Sequence, residues 1–169
     1  MKHSLTFRAE TPDDVAGIST VVQAAFGRPD EADLVDHLRR SGALVLSAVA
    51  ANEEGVAGYV GFSRVTVGES HEALALAPAA VSPDWQRLGV ASTLILWALD
   101  ECRRQGHTVV VVLGAPAFYG RFGFRPAARF GVECPFAAPS ENFMLLELVA
   151  GAAQGWGGPV RYPPEFDLE

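Results

Sequence analysis

The sequence predicts a mixed α/β fold, with strands and helices interleaved along one domain. Three observations carry that expectation. Residues 87–105 repeat apolar side chains at helical spacing: Ala91, Leu94, Ile95, Ala98, Leu99 and Cys102. Residues 109–113 follow as an unbroken apolar run, mostly Val, the pattern of a strand buried on both faces. Upstream, two apolar stretches over 44–51 and 56–67 flank Asn52-Glu53-Glu54-Gly55, a turn-forming cluster that predicts an antiparallel hairpin.

The remaining elements follow in order. Residues 4–9 read as a first strand. Thr11-Pro12-Asp13-Asp14 opens a helix, with Thr11 as N-cap, Pro12 at the first helical position and Asp14 facing the positive helix end. Ile18, Val21, Val22, Ala25 and Phe26 give it an apolar stripe, and residues 27–30 break it. A second helix over 31–40 turns Leu34, Val35 and Leu38 inward and stops near Gly42. A strand over 72–81 contains Pro78, which cannot donate to a sheet ladder, so a bulge or interruption is expected there. Gly106 ends the long helix. A short helix over 115–122 and two closing strands over 128–134 and 143–149 complete the pattern.

Composition excludes several function classes. The 169 residues are 49% hydrophobic and 20% charged, with mean hydropathy +0.17, which is incompatible with disorder. A net charge of −7 argues against a nucleic-acid partner. Lys2 is the sole lysine among 13 basic residues, which removes Walker-type phosphate binding and Schiff-base chemistry. Cys102 and Cys134 make no C-x-x-C and read as reduced thiols. The N-terminus lacks the apolar core of a secretory signal, and the apolar stretch around 109–118 is broken by Gly114 and Pro116. No membrane association and a cytoplasmic location are therefore expected. The histidines His3, His37, His71 and His107 show no ligand spacing. His71-Glu72 begins like a zincin helix, but Ala75 stands where the second His belongs, so no metal site is expected.

Most of the chemistry sits in Val81-Ser82-Pro83-Asp84-Trp85-Gln86-Arg87-Leu88-Gly89-Val90-Ala91-Ser92. A strand ends, a turn follows, and a long helix begins with small residues. The first N–H groups of a helix lack internal partners and carry the positive end of its dipole. Small side chains let a pyrophosphate reach those amides, and Arg87 adds a fixed positive charge. Without a Walker lysine or G-x-G-x-x-G, the segment is neither a nucleotide-triphosphate loop nor a dinucleotide fingerprint.

At these residues a family resemblance emerges. Gln86-Arg87-Leu88-Gly89-Val90-Ala91 matches the Q/R-x-x-G-x-G/A signature of the GNAT acetyltransferase superfamily, at the same strand–turn–helix junction. Phe118-Tyr119-Gly120-Arg121-Phe122-Gly123-Phe124 resembles its Y-x-x-x-G-F element. Phe7-Arg8-Ala9-Glu10-Thr11-Pro12-Asp13-Asp14 resembles its usual R-x-x-T-x-x-D opening. Element order agrees over residues 5–149, and the runs at 76–81 and 114–119 resemble the bacterial YhbS-like branch.

The resemblance implies a GNAT acyl-CoA N-acyltransferase fold: a central mixed β-sheet with splayed parallel strands and helices on both faces. It would form one domain, with a core over 5–149 and a C-terminal strap over 150–169. It further implies acetyl transfer from acetyl-CoA to an amine of a small molecule or peptide, by direct attack in a ternary complex. In the family the pantetheine arm lies between the splayed strands. Here Ala79, Ala80, Val81, Leu113 and Gly114 would pair with it. The amides of Arg87, Leu88, Gly89, Val90, Ala91 and Ser92 would hold the pyrophosphate, and Tyr119 matches the general acid that protonates the leaving thiolate. The general base stays unassigned. Ala75 stands where some members carry a glutamate, Glu72 lies three residues earlier, and Ser82 could orient a water. Gly114-Ala115-Pro116 replaces the family's frequent Asn.

Plainer readings stand beside these. Gly89 could serve helix packing and Tyr119 could be a core aromatic. Arg121 reads as a solvated surface charge, Trp85 as packing, and Asp33 with His37 as a surface pair. Trp156, Tyr162 and Phe166 in the tail fit an irregular strap, a homodimer contact or a wall of the acceptor pocket. The acceptor itself would be shaped by residues 26–30 and 131–142. The alternative function within the same fold is a non-catalytic acyl-CoA-binding or sensor module, favoured by the missing glutamate and opposed by Tyr119.

Overall fold

The pattern of apolar residues translates into alternating layers. The computed structural model describes residues 4–168, so Lys2 and His3 lie outside it. Strand β1 (Thr6–Ala9) leads into a 3-10 turn, Pro12–Asp14, and then helix α1 (Val15–Phe26). The carboxylate of Asp14 fixes this start. It accepts the Thr11 backbone N–H at 2.7 Å and both guanidinium arms of Arg8 at 2.7 and 3.1 Å. The R-x-x-T-x-x-D residues therefore bind one another and tie β1 to α1. Helix α2 (Asp30–Ser41) ends at Gly42, whose φ of +82° suits glycine.

Strands β2 (Leu44–Asn52) and β3 (Gly55–Val67) form the expected hairpin, with Asn52 opposite Gly55. Strand β4 (His71–Val81) adds antiparallel to β3. Opposite Gly61 the register slips: Val60 faces Ala79 and Phe62 faces Leu76, which leaves Ala77 and Pro78 as the bulge that Pro78 predicts. Helix α3 (Val90–Arg104) returns the chain to β5 (Val109–Leu113). Helix α4 (Pro116–Tyr119) continues as a 3-10 turn, Gly120–Phe122. Short strands β6 (Arg125–Pro126) and β7 (Val132–Glu133), then β8 (Phe143–Glu147) and β9 (Gly158–Arg161), close the chain.

The sheet runs β1-β2-β3-β4-β5-β8-β6, and within that path only β4 and β5 are parallel. Their pairing consists of Leu74 with Val110 and Ala75 with Val111. Beyond those pairs β4 runs on to Val81 and β5 to Leu113, so the sheet opens into a V.

Alternation along β2 places helices on both faces, while β5 turns Val110 and Val112 to α3 and Val109 and Val111 to a cluster with Ala127, Phe143 and Ala153. Leu46, Ala48, Val110 and Val112 pack with Leu94, Ile95, Ala98 and Leu99 of α3. Val49 and Ala51 face Ile18 and Val22 of α1 and Val35 of α2. All four valines of β5 are buried, and each contributes about 1.5–3 kcal/mol through the area it removes from water.

Three expectations need correction. The strand expected over 128–134 is a 3-10 turn, Ala127–Phe130, ended by Gly131 at φ +70°, with only Val132–Glu133 extended. The tail is not wholly irregular, because β9 pairs with β3 and lies parallel to β7. The long helix begins at Val90 rather than Arg87, since Arg87 (φ +66°) and Gly89 (φ +80°) are both left-handed and cannot continue a helix.

Candidate active site

The site grows from the end of β4. The Ser82 amide donates to Ala57 O at 2.8 Å, and Gln86 Nε2 donates to Val81 O at 3.0 Å, which ties the turn back onto the strand it leaves. The left-handed residues Arg87 and Gly89 then swing the chain into α3. Thr93 is the first residue of α3 whose N–H finds a carbonyl of this turn, Gly89 O at 3.1 Å, and its hydroxyl donates to the same oxygen at 3.0 Å. The preceding amides of Val90, Ala91 and Ser92 open the helix without an intrahelical acceptor.

These amides border a cleft of about 330 Å³ whose lining includes Val81, Arg87, Gly89, Val90, Ala91 and Ser92. A Cβ at Gly89 would meet nothing within 4 Å, so the turn faces open space. Arg121 reaches the same cleft from the turn after α4. Its guanidinium donates to Ser92 Oγ at 3.0 Å and lies 4.8 Å from the centre of the Phe118 ring. Arg121 is exposed, as expected of a solvated surface charge, and its guanidinium also stands beside the helix start. Only the fold reveals this, because Arg121 and Ser92 lie on different elements. Two cations and a set of free helix-start amides form a donor set that fits a pyrophosphate.

The other expected residues scatter. Leu88 is 59% exposed and lies outside the cleft lining. Ala80 is buried against Val22 and Tyr59 in the cluster under α1. The Gly114 amide already donates to Asn142 O at 2.9 Å, so Gly114 offers a pantetheine arm only its carbonyl. Ala79 and Leu113 do reach the mouth of the V. There they line a second cavity of about 550 Å³ together with Leu76 and Tyr119.

Tyr119 is held by packing. Its ring stands edge-on to Phe118 at 5.0 Å and to Phe124 at 5.7 Å. Among the described residues its hydroxyl has no hydrogen-bond partner, and burial pushes its phenol above the ordinary value of 10.0. It therefore stays protonated at neutral pH.

The second cavity also takes residues that sequence reasoning left out or left open. Among the described residues Glu31 is the only carboxylate in its lining, and the Arg28 guanidinium grips that carboxylate through two nitrogens, Nε at 3.0 Å. The arginine holds Glu31 below the usual carboxylate range. Phe136, Tyr162 and Phe166 complete the wall, so part of the C-terminal tail does face this cavity. Trp156 stacks on His71 instead, with ring centroids 4.7 Å apart. Trp85 packs against the α3 core and lines the first cleft. Glu72 and Ser82 line neither cavity, and Ala75 is buried against β5. Among the described residues no cluster of His, Cys, Asp and Glu could hold a metal, and no helix is long and apolar enough to cross a membrane.

Comparison with known proteins agrees with this layout. Residues 14–124 match the model of the acetyltransferase (GNAT) family. The chain is 38% identical over 165 residues to the uncharacterized N-acetyltransferase YhbS of Escherichia coli, covering 96% of this chain and 99% of that protein. It is 37% identical over 157 residues to the uncharacterized N-acetyltransferase YjhQ of the same species, covering 88% of this chain and 87% of YjhQ. The crystal structure of Escherichia coli YhbS in complex with CoA superposes with a TM-score of 0.93, over 97% of this chain and 92% of that one. A GNAT acetyltransferase from Brucella melitensis, solved with acetyl-CoA, gives 0.82 at 31% identity, over 98% of this chain and all of that one. By sequence, by fold and by the strand–turn–helix junction at Gly89, this chain belongs to the GNAT acetyltransferase family, in its YhbS-like branch.

Proposed function

We propose that the protein is an acetyl-CoA-dependent N-acetyltransferase acting on an amine of a small molecule or peptide. The observation that carries this reading is continuity. The cleft at the start of α3 adjoins the end of β4, and the V between β4 and β5 opens onto a cavity that Tyr119 lines. The CoA and acetyl-CoA complexes of the two relatives support the same donor here.

In this reading the amides of Val90, Ala91 and Ser92, with Arg87 and Arg121, bind the pyrophosphate. Backbone groups at Ala79, Val81 and Leu113 orient the pantetheine arm. The bound donor supplies an activated thioester carbonyl. An amine held in the second cavity attacks that carbon; a C–N bond forms and the C–S bond breaks. Tyr119 gives its hydroxyl proton to the departing sulfur, and the amine releases a proton to water. Positioning of the two reactants supplies much of the acceleration. The sensor alternative has one specific observation in its favour: Glu31, the only carboxylate in the acceptor-side lining among the described residues, is already engaged by Arg28.

Thermal-shift and calorimetric titration with acetyl-CoA, CoA and ATP tests the reading. A ligand at 100 times its Kd adds about 2.7 kcal/mol of stability. Stabilisation by acetyl-CoA and CoA but not ATP is expected, followed by thiol release with an amine panel. No shift at millimolar acetyl-CoA overturns the assignment. Binding without thiol release for any amine leaves the sensor.

A further inference from the structure

Resting on the acetyltransferase reading above, we infer that the acceptor is a small primary amine carried on an apolar body the size of an aromatic ring. Phe136, Tyr162 and Phe166 form the wall that selects it. The cavity beside Tyr119 holds about 550 Å³, within the range of small-molecule sites. Its wall is aromatic. The Phe136 and Tyr162 ring centroids lie 4.8 Å apart and those of Tyr162 and Phe166 4.9 Å apart. Phe166 also packs with Leu34 and Leu38 of α2, which anchors the tail as a fixed surface rather than a loose end. Rings in edge or tilted contact present faces and edges that favour a further ring.

Charge narrows the choice. Among the described residues Glu31 is the one charged side chain lining the cavity, and Arg28 already pairs with its carboxylate through two nitrogens. The cavity therefore offers no unpaired counter-charge. A second ammonium, as in a polyamine, or a carboxylate, as in an amino acid, would lose its hydration there with no free opposite charge to replace it, only phenol hydroxyls and a carboxylate already paired with Arg28. A molecule with one amine at the end of an apolar body avoids that loss. Its amine lies at the Tyr119 end, near the thioester, and its body against the three rings.

The test uses 2-phenylethylamine, spermidine and lysine as probes. Their Kd values are measured by calorimetry on the acetyl-CoA-free protein, and their kcat/KM values by thiol release with acetyl-CoA. 2-Phenylethylamine is expected to exceed both others at least tenfold in affinity and in kcat/KM. Phe136→Leu, at a partly exposed position, keeps apolar bulk but removes a ring and should erase most of that preference. Its melting temperature shows whether the fold is intact, and Phe166→Leu provides a second ring-removing variant. Equal values for the three probes, preference for spermidine or lysine, or no binding of 2-phenylethylamine overturns the inference. The acetyl-CoA titration of the same protein decides the underlying reading separately. A protein that binds acetyl-CoA yet prefers spermidine refutes the acceptor class alone.

Discussion

Gly114 lies directly beneath the ring of Tyr119: a Cβ at position 114 would fall 2.3 Å from Cε2 and 2.8 Å from Cδ2 of that ring. The strand end at Leu113 and the helix carrying Tyr119 approach this closely only because position 114 has no side chain. Gly114→Ala is therefore expected to push the Tyr119 ring out of its seat. Turnover should fall about as far as in Tyr119→Phe, with acetyl-CoA affinity little changed. Wild-type turnover in the alanine variant would show that the ring's seat does not matter to the chemistry.

Tyr119→Phe keeps the ring and removes the proton. If the hydroxyl is the general acid, kcat should drop by about 10²–10⁴ while the acetyl-CoA Kd stays within about twofold. Burial raises the phenol above 10.0, so wild-type kcat should show no loss from Tyr119 ionisation until the pH exceeds that value. Steady-state kinetics across pH, beside calorimetry of both proteins, would reveal a purely structural tyrosine as an unchanged kcat.

Arg121→Ala removes the guanidinium that donates to Ser92 at the start of α3. A charge-assisted contact to a phosphate is worth about 1.5–3 kcal/mol, so acetyl-CoA affinity should fall about tenfold or more. The variant's affinity should also depend less on salt. An unaltered Kd would show that the exposed Arg121 makes no phosphate contact.

Asp14 links stability to pH. Hydrogen bonds from Arg8 lower its pKa to about 2, from an ordinary 3.8. A depressed carboxyl stabilises the fold above its unfolded value, and that contribution disappears as pH falls from about 4 to about 2. Arg8 is partly exposed, so solvent screening reduces the effect to about 1–2 kcal/mol. Asp14→Asn should lose that much at pH 7 in urea unfolding and converge with wild type near pH 2.

Cys102 is fully buried, and burial pushes its thiol up to about 12. Native protein treated with a disulfide reagent should show one fast-reacting thiol, at the partly exposed Cys134. Cys102 should react only on unfolding. Two equally fast thiols would contradict the packing beneath α3.

Local pattern foretold much of the frame. The four valines of β5 signalled burial on both faces, and Pro78 announced its bulge because it lacks an N–H. Strand β9 was hidden because Gly158-Pro159 has little strand propensity, and its partners, at Thr66 and Val67 and at Val132 and Glu133, are supplied from far along the chain. In the site, Gly89 and Tyr119 belong to contiguous motifs and could be read directly. Arg121 gains its place only when α4 folds beside α3. Glu31 enters the cavity only because α2 packs beside the tail segment that carries Phe166. Such convergences leave no local periodicity to detect.

The two cavities draw on separable stretches of chain. The first is lined wholly by residues between Val81 and Arg121. The second adds Phe26, Glu31, Leu34 and residues 76–79 from before that stretch, and Phe136, Tyr162 and Phe166 from after it. Descent can therefore revise the flanks without disturbing the middle. Phe136, Tyr162 and Phe166 are also synthesised after every residue that lines the first cleft. Of all the residues lining the two cavities, Phe166 stands furthest along the sequence, so shortening the chain from position 169 inward removes a wall of the second cavity before any part of the first.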